Sequence, residues 1–253
     1  LVRFCVPVLL MISGALLLDS IKEIGFRALL RRYIPHILIA LFIWSFLYAA
    51  ANLASLYFSS RELLLKSFIS EFMFGHYHLW YLYMLIGLYL VTPFLRKIVE
   101  STALTKYYLL LWLVFSVLLP AIQDIPLVRP AAQLAKQLQL HLVMGYSGYF
   151  VLGHYLRSVK LRPRSEVFIY ILGILGLIVT IAATQMVSVR LGKADGRFYD
   201  NLKPNVVVTA IALFVFFQQR VSHFSFSEKS RSRIASLSDS SFGIYLEHDF
   251  LLL

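Results

Sequence analysis

One cysteine, Cys5, is all the thiol this chain of 253 residues holds. That excludes an intrachain disulfide framework and any metal site built on several cysteines. Set in an apolar run, Cys5 reads as a small lipid- or helix-facing residue. Charge is scarce too: Asp, Glu, Lys and Arg make up 15% of the chain, against about 25% in soluble domains. An ordinary water-soluble fold is thereby excluded. No His-Glu-x-x-His spacing, internal repeat or low-complexity tract occurs, so no metal centre is expected. The opening residues lack the basic start and small-residue cleavage site of a signal peptide. Leu1 begins without methionine and Leu253 lies inside another apolar run, which reads as one segment, 1–253, of a longer protein trimmed at both ends.

What is abundant is apolar side chain, 59% of residues with a mean hydropathy of +0.75. A globule of this size cannot hide that excess, so much of it must face lipid. The expected fold is all-α, a polytopic integral membrane helical bundle. Eight apolar runs approach the ~20 residues of a span: 4–19, 33–58, 79–95, 107–122, 141–157, 167–189, 204–219 and 237–253. The first, third and fourth are short. Each should be helical, because hydrocarbon offers no partner to an open backbone group.

The net charge of +11 reads as placement against a bilayer, with membrane lipid and not nucleic acid as the partner. Connections 19–32, 96–106, 157–166 and 220–236 carry 15 of the 24 Lys and Arg, and the other connections and the N-terminal tip carry 9. By the positive-inside rule the richer set is cytoplasmic. His76 and His78 then fall at the outer interface.

Several stretches carry residues with chemical capacity. In VPVLLMISGALLLD (6–19), Ser13-Gly14 is a small pair that lets another helix approach. In FRALLRRYIPHIL (26–38), Arg27, Arg31 and Arg32 precede His36, either as an anchor on anionic lipid or as a clamp for phosphate. In GHYHLWYLY (75–83), Trp80, Tyr81 and Tyr83 form an aromatic belt, while His76 and His78 offer acid–base chemistry near neutral pH. A zinc set of His76, His78, His141 and Glu71 is the weaker reading there. In GYSGYFVLGHYLR (145–157) the glycines mark a helix seam, and His154 is either a site residue or an anchor. In FGIYLEHDFLLL (242–253), Glu247, His248 and Asp249 sit in an apolar run. They need a polar lining or a span that stops short of them.

Taken in order, VPVLLMISGALLL, RRYIPHIL, HLWYLYMLIGLYLVTPFLRK, GYFVLGHYL and FGIYLEH resemble the acyltransferase-3 family of integral membrane acyltransferases, and within it the group acting on surface polysaccharides. The resemblance covers nearly the whole chain, with the third block its most specific part. It implies a bundle of about ten spans, eight of them here, in the inner membrane of a bacterium. It implies transfer of an acetyl or other short acyl group from acyl-CoA, with acetyl-CoA as donor substrate and no bound cofactor, to a hydroxyl of a cell-surface or lipid-linked glycan.

By position, His78 and Trp80 match the family's His-Leu-Trp block, with Tyr81 beside them. Arg31 and Arg32 match its basic entry, Ser13 and Gly14 its Ser-Gly pair, and Tyr245 and His248 its late Ile-Tyr-Leu-x-His block. The family's foremost catalytic histidine, with its arginine partner, lies on a span before Leu1. The charged neighbours Glu247 and Asp249 depart from its pattern around the late histidine. The resulting mechanism has Arg31 and Arg32 holding coenzyme A phosphates, an upstream histidine as principal base, and His78 orienting the acceptor or stabilising charge. Arginines and imidazoles are expected to share one polar crevice. A transporter of lipid-linked glycans or small acids fits the intramembrane ionisable residues as well, and a non-catalytic helix bundle is the third reading.

Overall fold

The computed structural model describes residues 4–19, 25–59, 68–69, 72–73, 75–139 and 144–250, with side chains in the second stretch only as far as Leu53. Every regular element among them is helical. In chain order the principal helices are α1 (Cys5–Leu17), α2 (Ile34–Ser59), α3 (Trp80–Val99), α4 (Thr102–Trp112), α5 (Arg129–Gln137), α6 (Ser147–Ser158), α7 (Pro163–Leu191), α8 (Pro204–Gln219) and α9 (Glu228–Glu247). A helical turn at Phe26–Ala28 and a π-helical turn at Leu29–Tyr33 lead into α2, and a second π-helical turn, Leu113–Leu118, continues α4 toward Leu119–Ile122.

Five helical runs among the described residues are long and apolar enough to cross a bilayer: Phe26–Leu53, Tyr77–Val99, Thr102–Ile122, Pro163–Leu191 and Arg197–His223. They match five of the eight apolar runs read from sequence. The other three runs are not among these five within the described residues. Helix α1 has 13 residues, about 20 Å of rise against a ~30 Å hydrocarbon core. Helix α6 has 12. The last run sits on a helix that begins in polar sequence at Glu228, where the Ser227 hydroxyl caps the Ser230 N–H at 3.3 Å, and that stops at Glu247.

The chain forms two compact units, residues 1–23 with 91–223, and residues 24–90 with 224–253. In the first, α1 lies on α6 and α7 on α8. The α1–α6 contact is backbone against backbone: a Cβ on Gly14 would overlap the main chain at Phe150, and one on Gly153 the main chain at Met11. The Ser-Gly pair and the glycine seam expected from sequence are thus the two sides of one contact.

The free carbonyls at the end of α1 are taken by arginines. Leu17 O accepts Nε and Nη2 of Arg96 at 2.9 and 2.7 Å, and Ala15 O accepts from Arg157, which also pairs with Asp19 at 3.2 Å. Cations suit that end because the helix dipole is negative there. Helix α7 turns Gly173, Gly176 and Thr180 inward and leaves Ile171, Ile174, Ile178 and Ile181 exposed, the division expected of a helix with one protein face and one lipid face.

In the second unit, Ile37, Leu41 and Tyr48 of α2 pack with Leu79 and with Leu82 and Leu85 of α3, and Leu246 of α9 joins them.

Because backbone cannot yield as a side chain can, Gly14→Val and Gly153→Val should each cost at least the ~1–3 kcal/mol of ordinary overpacking. This would be read as a fall in the thermal midpoint of the detergent-solubilised protein. Gly87→Ala, where a Cβ meets nothing within 4 Å, should be neutral or stabilising by up to about 1 kcal/mol. An unchanged midpoint for Gly14→Val would mean that α1 and α6 do not meet there.

Candidate functional site

The site of the second unit begins with a turn. Gly75 has φ +70, and a Cβ there would press within 3.2 Å of the Ser45 hydroxyl, so a residue without a side chain is suited to the position. His76 follows in an extended conformation (φ −67, ψ 151) and the chain then tightens into the 3-10 turn Tyr77–Leu79. In a continued strand, neighbours two apart would share a face and stand several ångströms apart. The change of backbone instead brings the His76 and His78 Nδ1 atoms to 3.1 Å.

The third member arrives from the far end of the chain. Just past the last turn of α9, Asp249 is buried, with Oδ2 at 3.0 Å from His76 Nδ1 and 3.8 Å from His78 Nδ1. Its other oxygen, Oδ1, accepts the Tyr77 hydroxyl at 2.9 Å. Tyr48 walls the group: its ring stacks on His76 at 4.6 Å, and its hydroxyl donates to Leu246 O at 2.9 Å. The Tyr245 hydroxyl donates to the His78 carbonyl. His78 is buried, and its Nε2 has no hydrogen-bond partner among the described residues.

His248 is exposed, with its ring 5.0 Å from that of His78. Its Nδ1 lies 2.8 Å from Tyr245 O. A carbonyl only accepts, so Nδ1 carries the proton and Nε2 keeps a lone pair. Tyr81 packs edge-on to Tyr245 at 5.6 Å, and Trp80, 38% exposed, packs beside Tyr81 at 6.5 Å. Of the residues singled out from sequence, His78, His248, Trp80, Tyr81 and Tyr245 therefore gather in one place.

Arg31 and Arg32 stand elsewhere in the same unit, both exposed on the π-helical turn. Arg32 lines a cavity of 450 Å³ with Tyr33, His36, Tyr89 and Phe242, while Arg31 is not part of its wall. The single polar crevice expected for arginines and imidazoles is not found among the described residues. His36 and Tyr48 are twelve residues apart on one helix, about 18 Å, and Ile37, Leu41, Leu82 and Leu85 pack between them. Ser13 is half-buried on α1 and belongs to the other unit, as does the half-buried His154. His141 and Glu71 lie outside the described residues.

Sequence reading named Asp249 as a departure and Tyr48 not at all. The available signal was the carboxylate itself, an ionisable residue in an apolar run, which required a partner that spacing could not identify. Of the three ionisable neighbours only Asp249 is buried; Glu247 and His248 are exposed. Asp249→Asn removes the charge that His76, His78 and Tyr77 face. It should lower thermal stability by about 1–3 kcal/mol, while the exposed Glu247→Gln leaves the midpoint within error. Equal midpoints for the two would contradict a buried Asp249.

A family model described as an acyltransferase domain, of the acyltransferase-3 family, matches residues 1–253. Comparison with curated proteins and with solved structures gives no match.

Proposed function

The chain belongs to the acyltransferase-3 family, and from that premise we propose that it transfers acetyl, or another short acyl group, from acyl-CoA to a hydroxyl of a cell-surface or lipid-linked glycan. The finer placement is part of the same proposal: a surface polysaccharide O-acyltransferase, similar to the enterobacterial common antigen O-acetyltransferase. It would be embedded in the inner membrane of a bacterium as eight spans of a ten-span bundle, with Arg31 and Arg32 toward the cytoplasm. The order of the five sequence blocks supports this.

The observation that carries the reaction is the His248 ring, with its proton committed to the Tyr245 carbonyl and Nε2 left basic, set beside His78. Nε2 of His248 takes the proton of the acceptor hydroxyl as that oxygen attacks the thioester carbonyl. The tetrahedral adduct collapses by breaking the C–S bond, and the thiolate of coenzyme A leaves with the proton held on His248. His78, turning Nε2–H toward the reacting centre, donates to the oxyanion that develops on the carbonyl. Trp80, Tyr81 and Tyr245 supply aromatic faces and hydroxyls suited to a sugar ring.

At the N-terminal end of α2, Arg32 offers charge-assisted hydrogen bonds to phosphate with the His36 imidazole beside it, and Tyr33, Tyr89 and Phe242 offer faces for an adenine ring. Arg31 adds positive charge beside them. With the core packed between the two places, the donor's arm would run along the flank of α2 to bring its thioester to the imidazoles.

Full-length protein in detergent should release one free coenzyme A thiol per acyl group transferred, which a carrier would not do. His248→Ala should lower kcat about 10²–10⁴-fold. Arg32→Ala should raise KM for the acyl donor about 10–100-fold with kcat little changed, and Arg31→Ala should raise it less. Wild-type rates for both His248→Ala and Arg32→Ala would overturn these assignments.

A further inference from the structure

We propose that His76, His78 and Asp249 form a binding site for a single divalent transition-metal ion, zinc first among them. This inference does not depend on the acyl-transfer reading. One ligand atom from each residue lies within 4.8 Å of the others. The pairwise separations are 3.1 Å between the two Nδ1 atoms and 3.0 and 3.8 Å from them to Asp249 Oδ2. Zinc–ligand bonds of about 2.0–2.1 Å at tetrahedral angles place neighbouring ligand atoms about 3.4 Å apart, in the middle of that range. Small side-chain rotations suffice to close the set around one ion.

Hydrogen bonding alone serves this cluster poorly. A proton on His76 Nδ1 is drawn to both Asp249 Oδ2 and His78 Nδ1, and a second proton on His78 Nδ1 would point back at the first. A central cation gives all three lone pairs a partner at once. It also balances a carboxylate whose side chain is 9% exposed between imidazoles that are 7% and 15% exposed. Two imidazoles with one carboxylate suit zinc, cobalt or nickel over magnesium or calcium, which prefer oxygen.

The surroundings orient the ligands as a metal site requires. The Tyr77 hydroxyl holds Oδ1 and leaves Oδ2 to the ion, Tyr48 fixes the plane of the His76 ring, and Tyr245 holds the His78 main chain. With its Nδ1 on the metal, His78 keeps its proton on Nε2, the tautomer that donates to an oxyanion. His248 stands outside the set: the converging ligand atoms belong to His76, His78 and Asp249, and the His248 ring is held through Nδ1 by the Tyr245 carbonyl. A fourth position remains for water or a substrate oxygen.

The test uses full-length protein purified through a tag free of histidine, stripped with a chelator and titrated with Co²⁺ in the absence of acyl donor. The expected result is visible ligand-field absorption that saturates at one equivalent, is displaced by Zn²⁺, and is accompanied by a rise in the thermal midpoint. Asp249→Asn and His76→Gln should each weaken Co²⁺ binding at least tenfold, and His248→Ala should leave the affinity unchanged. Wild-type protein that binds no stoichiometric metal, or shows no midpoint shift with Zn²⁺, overturns the site. An affinity unmoved by both Asp249→Asn and His76→Gln overturns it as well. Protein that binds metal as described but transfers no acyl group would count against the proposed reaction alone.

Discussion

The second unit is organised around a buried carboxylate and the hydrogen-bonding groups that face it. Asp249 is removed from solvent just beyond the end of α9, and the groups nearest it are Tyr77 and the imidazoles of His76 and His78. An ionised carboxylate in such surroundings is tolerable only with partners of this kind. The requirement works in both directions: it ties the end of α9 to the turn that opens α3, and it holds two imidazoles with their Nδ1 atoms toward one point. The Tyr48 hydroxyl on Leu246 O and the Tyr245 hydroxyl on the His78 carbonyl brace the same junction from α2 and α9.

That junction explains why the imidazoles differ in what they can do. His248 is exposed and its tautomer is set by a backbone carbonyl, which leaves a basic nitrogen. His78 is buried with one nitrogen facing Asp249 and the other without a partner among the described residues. A base and a charge-stabilising donor side by side are what acyl transfer to a hydroxyl asks of a protein. The cavity lined by Arg32 and aromatic side chains lies on the far side of an apolar layer from the imidazoles, so the two places are distinct along α2.

The resemblance to the family placed His78, Trp80, Tyr81, Tyr245 and His248 without saying why they belong together. Their gathering follows from tertiary contacts such as Tyr245 to the His78 carbonyl, 167 residues apart in sequence. One expectation was met and one was altered. Ser13-Gly14, read as a small pair that lets another helix approach, is in the first unit, where Gly14 meets the main chain of α6. The arginine–histidine crevice is replaced by two places separated by Ile37, Leu41, Leu82 and Leu85. The separation of arginines from imidazoles was not legible, because hydropathy along a chain records which segments are apolar and not which faces of them meet.

Membrane residence, an all-helical backbone, the glycine seam and the family itself could be read directly from the residues. Each follows from local composition, from order along the chain, or from the rule that lipid leaves backbone groups no outside partner. The company of Asp249 was a matter for the tertiary structure alone. Its partners are 171 to 173 positions away, and sequence could state only that a carboxylate in such a place must have some. Which groups meet it depends on how helix ends are brought together by packing, a long-range outcome that no local pattern encodes.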